Sequence, residues 1–361
     1  MRKMICSPGT YVQGEGEIAH LAEHIENMGK ASAYLIVDSF IDQTYHEDII
    51  KSFEEKTMKY KVQVFGGECC DQEINLHRDQ MKEYDVVLGI GGGKTLDTSK
   101  AVSYYENCPV MIVPTAASSD APCSRLSVVY TPEGQFSHYL PLTKNPDMVI
   151  MDTEVIAKAP ARFLAAGIGD ALATYYEAAA CVRSNAVTMA GGHVTKAAIT
   201  LAKLCRDTLL EEGYQAFVAV TQGQCTKAVE NIIEANTYLS GVGFESGGLS
   251  GAHAIHNGLT ALEATHKLLH GEKVAFGTVT QLVLENNPLD EIKEIIHFCK
   301  KLGLPTSLEA LGISNVTDEE LLVAATEACS KEDTMGNLPF EVTPKDIVAA
   351  MRTVDALSKE I

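Results

Sequence analysis

His253 and His256 stand three residues apart in a stretch with helical spacing, which sets both rings on one helix face. His266 and His270 follow closely, and His270 directly precedes Gly271, near the expected start of the next helix. Upstream, Asp170 lies in an alanine-rich helical stretch where a free carboxylate would be costly to bury. A divalent cation would offset that cost. The same residues also suit an exposed Asp170 that caps a helix after Gly167 and Gly169, with surface histidines around it. Residue types alone leave both open.

A second group of residues suggests a phosphate ligand. Gly89-Ile90-Gly91-Gly92-Gly93-Lys94-Thr95 follows one expected strand and opens one expected helix. Glycines let a backbone approach a ligand closely, and a helix start offers unpaired N–H groups at the positive end of a dipole. Together they favour a phosphate or pyrophosphate. Neither standard fingerprint fits. The dinucleotide pattern Gly-x-Gly-x-x-Gly fails at Lys94, and the P-loop pattern fails at Leu88. Asp38 ends another expected strand, where a carboxylate can bind both adenosine ribose hydroxyls and repel the extra phosphate of NADP. It can equally cap the helix that begins near Phe40. In the usual dinucleotide fold this acid follows the glycines; here it precedes them, so the strand order must differ.

These residues need elements to position them. Short apolar runs at Ala33–Val37, Tyr60–Phe65, Asp85–Ile90 and Pro109–Val113 alternate with amphipathic stretches, as buried parallel strands in βα units do. Val128–Tyr130 and Met148–Met151 suggest two more strands. Beyond Asp152 the composition turns rich in Ala, Leu, Glu and Lys. Helical spacing is expected over 160–183, 190–212, 227–238, 248–259, 272–284, 289–302, 319–329 and 344–357. The expectation is two domains, an α/β nucleotide-binding domain with a parallel sheet at 1–152 and an all-helical metal and substrate domain at 153–361. A cleft between such domains is a common ligand site.

Composition excludes several classes. With 48 acidic and 29 basic residues the chain carries a formal charge of −19, which disfavours nucleic acid and anionic membrane faces as partners. No apolar run is long enough to span a membrane. The N-terminus has no signal-peptide pattern before Pro8. Ten scattered cysteines with no Cys-x-x-Cys pair argue against a zinc ribbon or a thioredoxin-type site and fit reduced thiols in the cytoplasm.

Taken together, these motifs resemble the bacterial glycerol dehydrogenases of the iron-containing (group III) alcohol dehydrogenase superfamily. The matching text includes Ser7-Pro8-Gly9, Phe65 to Cys69, Gly89 to Asp97, Pro114-Thr115, Ser119 to Ser124 and Asn145 to Val149. In the second half it includes Ala165 to Thr174, Glu234 to Gly248, His253 to Gly258 and His270 to Gly277. The resemblance implies a dehydroquinate synthase-like fold, a homo-oligomer that is often an octamer, and NAD-dependent, reversible oxidation of glycerol and related vicinal diols to dihydroxyacetone at zinc. It puts the metal on Asp170, His253 and His270, which also meet the substrate, and puts Asp120 on a substrate hydroxyl. His256 would face the nicotinamide or the substrate. It assigns the cofactor to Asp38, Gly92, Gly93, Lys94, Asp97, Thr115, Ser118, Ser124, Leu126 and Tyr130. Iron-dependent relatives usually show Asp-x-x-x-His, whereas Thr174 stands four residues after Asp170, which argues for zinc with three protein ligands. The alternative is a superfamily member acting on another small diol, a hydroxyketone or a phosphorylated polyol. A phosphorylated substrate needs a basic cluster, and only Lys267 and Lys273 lie near the ligands in sequence. A P-loop NTPase would need glycine at 88 and leaves the histidines unexplained.

Overall fold

The computed structural model describes all 361 residues. Its first part holds strands β1 (Thr10–Gly14), β2 (Ser32–Val37), β3 (Lys59–Val64), β4 (Val86–Gly91), β5 (Val110–Pro114), β6 (Leu126–Tyr130), β7 (Phe136–Pro141) and β8 (Met148–Asp152). Helices α1 (Leu21–Asn27), α2 (Ser39–Glu55), α3 (Asp71–Met81) and α4 (Gly93–Glu106) lie between them. Six strands form one parallel sheet in the order β1-β8-β5-β4-β2-β3. β6 and β7 make a separate antiparallel hairpin with a bulge at Val129–Tyr130. The inner strands are buried on both faces, which is why they read as unbroken apolar runs. Leu35, Val37, Leu88 and Ile90 pack on one face against Ile25 and Phe53 of α1 and α2. Tyr34, Ile36, Val87 and Ile112 point to the other face, in a core continuous with Ile168 and Leu172 of the helical part.

That helical part comprises α5 (Thr153–Lys158), α6 (Ala161–Ser184), α7 (Lys196–Thr221), α8 (Lys227–Glu234), α9 (Ser240–Gly247), α10 (Gly251–Leu259), α11 (His270–Leu284), α12 (Leu289–Lys301), α13 (Asp318–Ala328) and α14 (Pro344–Glu360). Asp152 makes the changeover abrupt. Its carboxylate caps α5 through the Glu154 and Val155 N–H groups and also accepts from Gly16 and Ile18. No helix is long and apolar enough to cross a membrane, and all ten cysteines are unpaired.

Four features depart from the expected elements. β1 has no apolar run because it is an edge strand paired only with β8. β7 interleaves polar residues because much of it faces solvent. The helix expected from 190 begins only at Lys196, since Gly191 and Gly192 form a turn on which the N-terminal residues Arg2 to Met4 pair with His193. The helix expected to stop at 238 runs on to Gly247 through a π-helical turn at Ala235–Leu239. Such turns shift the phase of a helix and recur at functional sites.

Candidate active site

The sheet order places the glycine loop in a cradle at the carboxyl ends of the strands. β2 leads out to β3, and the chain then returns to place β4 on the other side of β2, so the strand order reverses between β2 and β4. Crevices at such points, outside the carboxyl ends of strands, bind ligands in open α/β sheets. Val37 pairs with Ile90, so Asp38 and the glycine loop sit side by side although Asp38 comes first in sequence. Gly91 adopts φ +152°, and a Cβ there would lie 2.8 Å from the Asp38 Cβ, so the loop closes on Asp38 only with glycine. A Cβ on Gly92 or Gly93 would meet nothing within 4 Å, and no side chain caps α4. The N–H groups of its first turn therefore have no side-chain cap.

The other residues expected to meet the cofactor divide. Asp38 caps α2 by accepting from Phe40 N at 3.0 Å and Ile41 N at 3.4 Å. Thr115 follows β5 beside the cradle, its N–H bonded to Gly91 O at 3.2 Å, and Ser118 is half-buried on the same loop. Lys94 is ion-paired with Glu68 at 2.5 Å and lies 5.2 Å from the Tyr130 ring centre. Burial pushes the Tyr130 hydroxyl up to about 12. Buried Ser124 donates to Ala121 O at 2.9 Å, and Leu126 opens β6. Asp97 is turned to the protein: its oxygens take Lys100 Nζ at 2.8 Å and Val128 N at 3.0 Å. Buried Lys100 also donates to the Ala121 and Leu126 carbonyls, so this pair ties the 121–126 loop and β6 to α4.

Three helices converge at the second centre. Asp170 is fully buried on α6, with His253 Nε2 at 3.3 Å and His270 Nε2 at 3.1 Å from its Oδ1. Neither approach has hydrogen-bond geometry, so Oδ1 is a buried acceptor with no donor. Edges of that length suit a tetrahedral ion, because ligands about 2.0–2.1 Å from zinc lie about 3.3–3.4 Å apart. The donor set of one carboxylate and two imidazoles fits a divalent metal, and Asp170, His253 and His270 are the group of side chains placed to hold one. Close helix packing brings them there: a Cβ on Gly271 would lie 1.8 Å from Ala166 O. His266 is outside the cluster, exposed and bonded to Thr260 O.

Around this centre the polar groups form a connected shell. The Asp120 N–H donates to Asp170 Oδ2 at 3.3 Å, and its carboxylate accepts from Ser240 Oγ at 2.7 Å. Ser240 Oγ lies 2.7 Å from Thr174 Oγ1. Burial, reinforced by the Asp170 charge, pushes the Asp120 carboxyl well above the usual range. Burial would also raise Asp170, but His270 and His253 outweigh it and hold that carboxyl below the usual range. The His256 ring centre is 4.1 Å from that of His270, and its Nδ1 is 2.9 Å from Asn257 Oδ1. Burial and the neighbouring His270 keep His256 well below its ordinary pKa, hence neutral.

Sequence reasoning missed Glu177, whose Oε2 lies 2.6 Å from His253 Nδ1. The available signal was its place seven residues after Asp170, on the same stripe of an alanine-rich helix. It also missed Glu68, Ser240 and Asn236, whose amide donates to the Ala117 and Leu164 carbonyls. The π-helical turn sets Asn236 and Ser240 toward the loop that runs from Thr115 to Ser124.

Comparison with known proteins identifies the family. Residues 8–153 match the iron-containing alcohol dehydrogenase family model. The chain is 52% identical to a glycerol dehydrogenase of Thermotoga maritima over 96% of this chain and 95% of that one. It is 48% identical to a glycerol dehydrogenase of Citrobacter freundii over 100% of this chain and 99% of that one. The crystal structure of glycerol dehydrogenase from Schizosaccharomyces pombe superposes with a TM-score of 0.96 at 42% identity, covering 99% of this chain and 92% of that one. Fold and sequence similarity agree: the chain belongs to the iron-containing alcohol dehydrogenase family and stands, within it, with the glycerol dehydrogenases.

Proposed function

We propose that the chain oxidises glycerol and related vicinal diols, reversibly and with NAD, to dihydroxyacetone and its analogues, at a zinc ion on Asp170, His253 and His270. The observation that carries this is the convergence of two imidazole nitrogens, from His253 and His270, on the unpartnered Asp170 Oδ1, which makes three ligand atoms in one group. When bound, zinc supplies a Lewis acid that brings an alcohol proton from a pKa of about 16 toward neutrality, and NAD supplies the hydride acceptor.

The chain's own residues do the rest. The first-turn N–H groups of α4 hold the pyrophosphate, and Asp38, while capping α2, offers its free oxygen to the adenosine ribose. Thr115 and Ser118 offer hydroxyls to the cofactor, and Leu126 and Tyr130 line its nicotinamide half. Asp120 faces the diol. Its raised pKa lets it take up the released proton and share it with Ser240 and Thr174. Neutral His256 directs Nδ1 to Asn257 Oδ1 and so leaves Nε2 as an acceptor for a second hydroxyl. Residues 1–152 act as the nucleotide domain and 153–361 as the metal domain. The enzyme works in the cytoplasm as a homo-oligomer, with an octamer the expected form.

The test is NADH absorbance with NAD and glycerol at mildly alkaline pH, on chelator-treated protein before and after zinc is returned. Activity that vanishes and returns is the expected result. Intact NAD binding with no glycerol turnover in zinc-loaded protein refutes the substrate and leaves the cofactor site standing.

A further inference from the structure

We propose that Glu177 is the positioning residue of the metal centre: it selects the His253 tautomer that can bind a metal and fixes the helix that carries it. The inference rests on the metal site proposed above and deepens it. Glu177 is fully buried on α6 and has three donors. Ser250 N at 2.8 Å and His253 N at 3.0 Å both reach Oε1, while His253 Nδ1 lies 2.6 Å from Oε2. The two backbone donors belong to the start of α10, where Ser250 provides no side-chain cap. A carboxylate on a neighbouring helix therefore does the capping and docks α10 onto α6.

The third contact has a chemical consequence. A carboxylate only accepts, so Nδ1 must carry the imidazole proton. In the neutral ring that metal binding requires, Nε2 is then the lone pair, and it is the nitrogen 3.3 Å from Asp170 Oδ1. Metal-ligating histidines are characteristically held by such an acceptor, whose loss typically costs 10–100-fold in affinity.

Glutamine at this position separates the two roles. Its amide oxygen keeps both backbone N–H bonds, which forces its NH₂ toward Nδ1. A donor there makes Nδ1 the acceptor and moves the proton to Nε2, the ligand atom. Turning the amide over would set a donor against two donors. Glu177→Gln should therefore keep the fold and disable the ligand, whereas Glu177→Ala loses the cap and leaves the tautomer free.

The experiment is zinc affinity by competition with a chromophoric chelator, together with thermal melting of the metal-free proteins. Zinc affinity should run wild type, Ala, Gln, with Gln at least tenfold below wild type. Stability should run wild type, Gln, Ala. Glu177→Asp, which keeps the acceptor, should recover part of the affinity lost in Gln. Crossed orders are the signature of tautomer control. If both properties fall in the same order, Glu177 is only structural and the inference is wrong. Unchanged zinc affinity in Glu177→Gln refutes it alone, whereas wild-type protein that takes up no zinc refutes the metal site and this inference with it.

Discussion

Gly271→Ala should perturb the proposed metal centre without touching any of its three residues. The added Cβ would lie 1.8 Å from Ala166 O, and real Cβ atoms essentially never approach closer than 3.0 Å. Backbone must give, because the obstacle is a carbonyl of α6 and not a flexible side chain. α11 has to retreat from α6 by about an ångström, and His270 is the first residue of α11 while Asp170 is on α6. Metal sites tolerate only about 0.2 Å in ligand distance, so the Asp170–His270 bite should open beyond use. Overpacking of this kind costs about 1–3 kcal/mol. At about 2–4 °C per kcal/mol for a domain of this size, the melting temperature should fall by about 2–12 °C. Gly336→Ala is the control, since a Cβ there meets nothing within 4 Å. Differential scanning fluorimetry and zinc competition on the two variants give the comparison. Wild-type zinc affinity in Gly271→Ala, with melting within about 1 °C of the control, would refute the claim that close helix packing sets the ligand geometry.

Three further outcomes follow from the same atoms. Asp38→Ala removes a cap worth about 1 kcal/mol, whereas Asp38→Asn keeps it; NAD titration should weaken in both, and weakening in Ala alone would reduce Asp38 to a cap. Glu68→Gln frees Lys94 from its ion pair beside the cradle, so NAD should bind several-fold more tightly at low salt and less so at high salt. Burial, partly opposed by Glu73, holds His77 below its ordinary pKa. The unfolded chain thus takes up that proton first, and the stability tied to neutral His77 is present above about pH 6.5 and lost as the pH falls below it. His77→Gln should flatten melting temperature between about pH 6.5 and 5, and an unchanged slope would rule the histidine out as its source.

What was legible in the sequence is what repeats or clusters. The buried strands announced themselves as apolar runs, and the glycines with Asp38 marked the cradle because both stand at strand ends. Their relation was hidden: only the strand order reveals that a residue some fifty positions upstream lies against Gly91. Edge strand β1 and hairpin strand β7 escaped because exposure removes the apolar signature. Asp97 is hard to read for another reason. It lies inside the matching motif, yet Lys100 and the Val128 N–H occupy its oxygens, and residue type cannot tell a loop anchor from a ligand contact. Glu177 was invisible for a similar reason: its partners are the start of a helix more than seventy residues away.

Thr174 brings sequence pattern and structure into direct conflict. It occupies the place where Asp-x-x-x-His relatives carry a further ligand, so the pattern suggests that Thr174→His would rebuild an iron site. The structure says otherwise. Thr174 is fully buried, its hydroxyl is 2.7 Å from Ser240 Oγ, and its methyl lies 2.6 Å from where a Gly243 Cβ would be. An imidazole would have to displace α9 and break the Asp120–Ser240–Thr174 chain before it could reach Asp170. The expected result is a loss of about 1–3 kcal/mol and no gain in ferrous-ion affinity over zinc. Ferrous affinity that rises relative to zinc, in a variant melting like wild type, would show that α9 yields at this point. The three-ligand site would then be set by the choice of Thr174 alone, and not by the packing of α9 against α6.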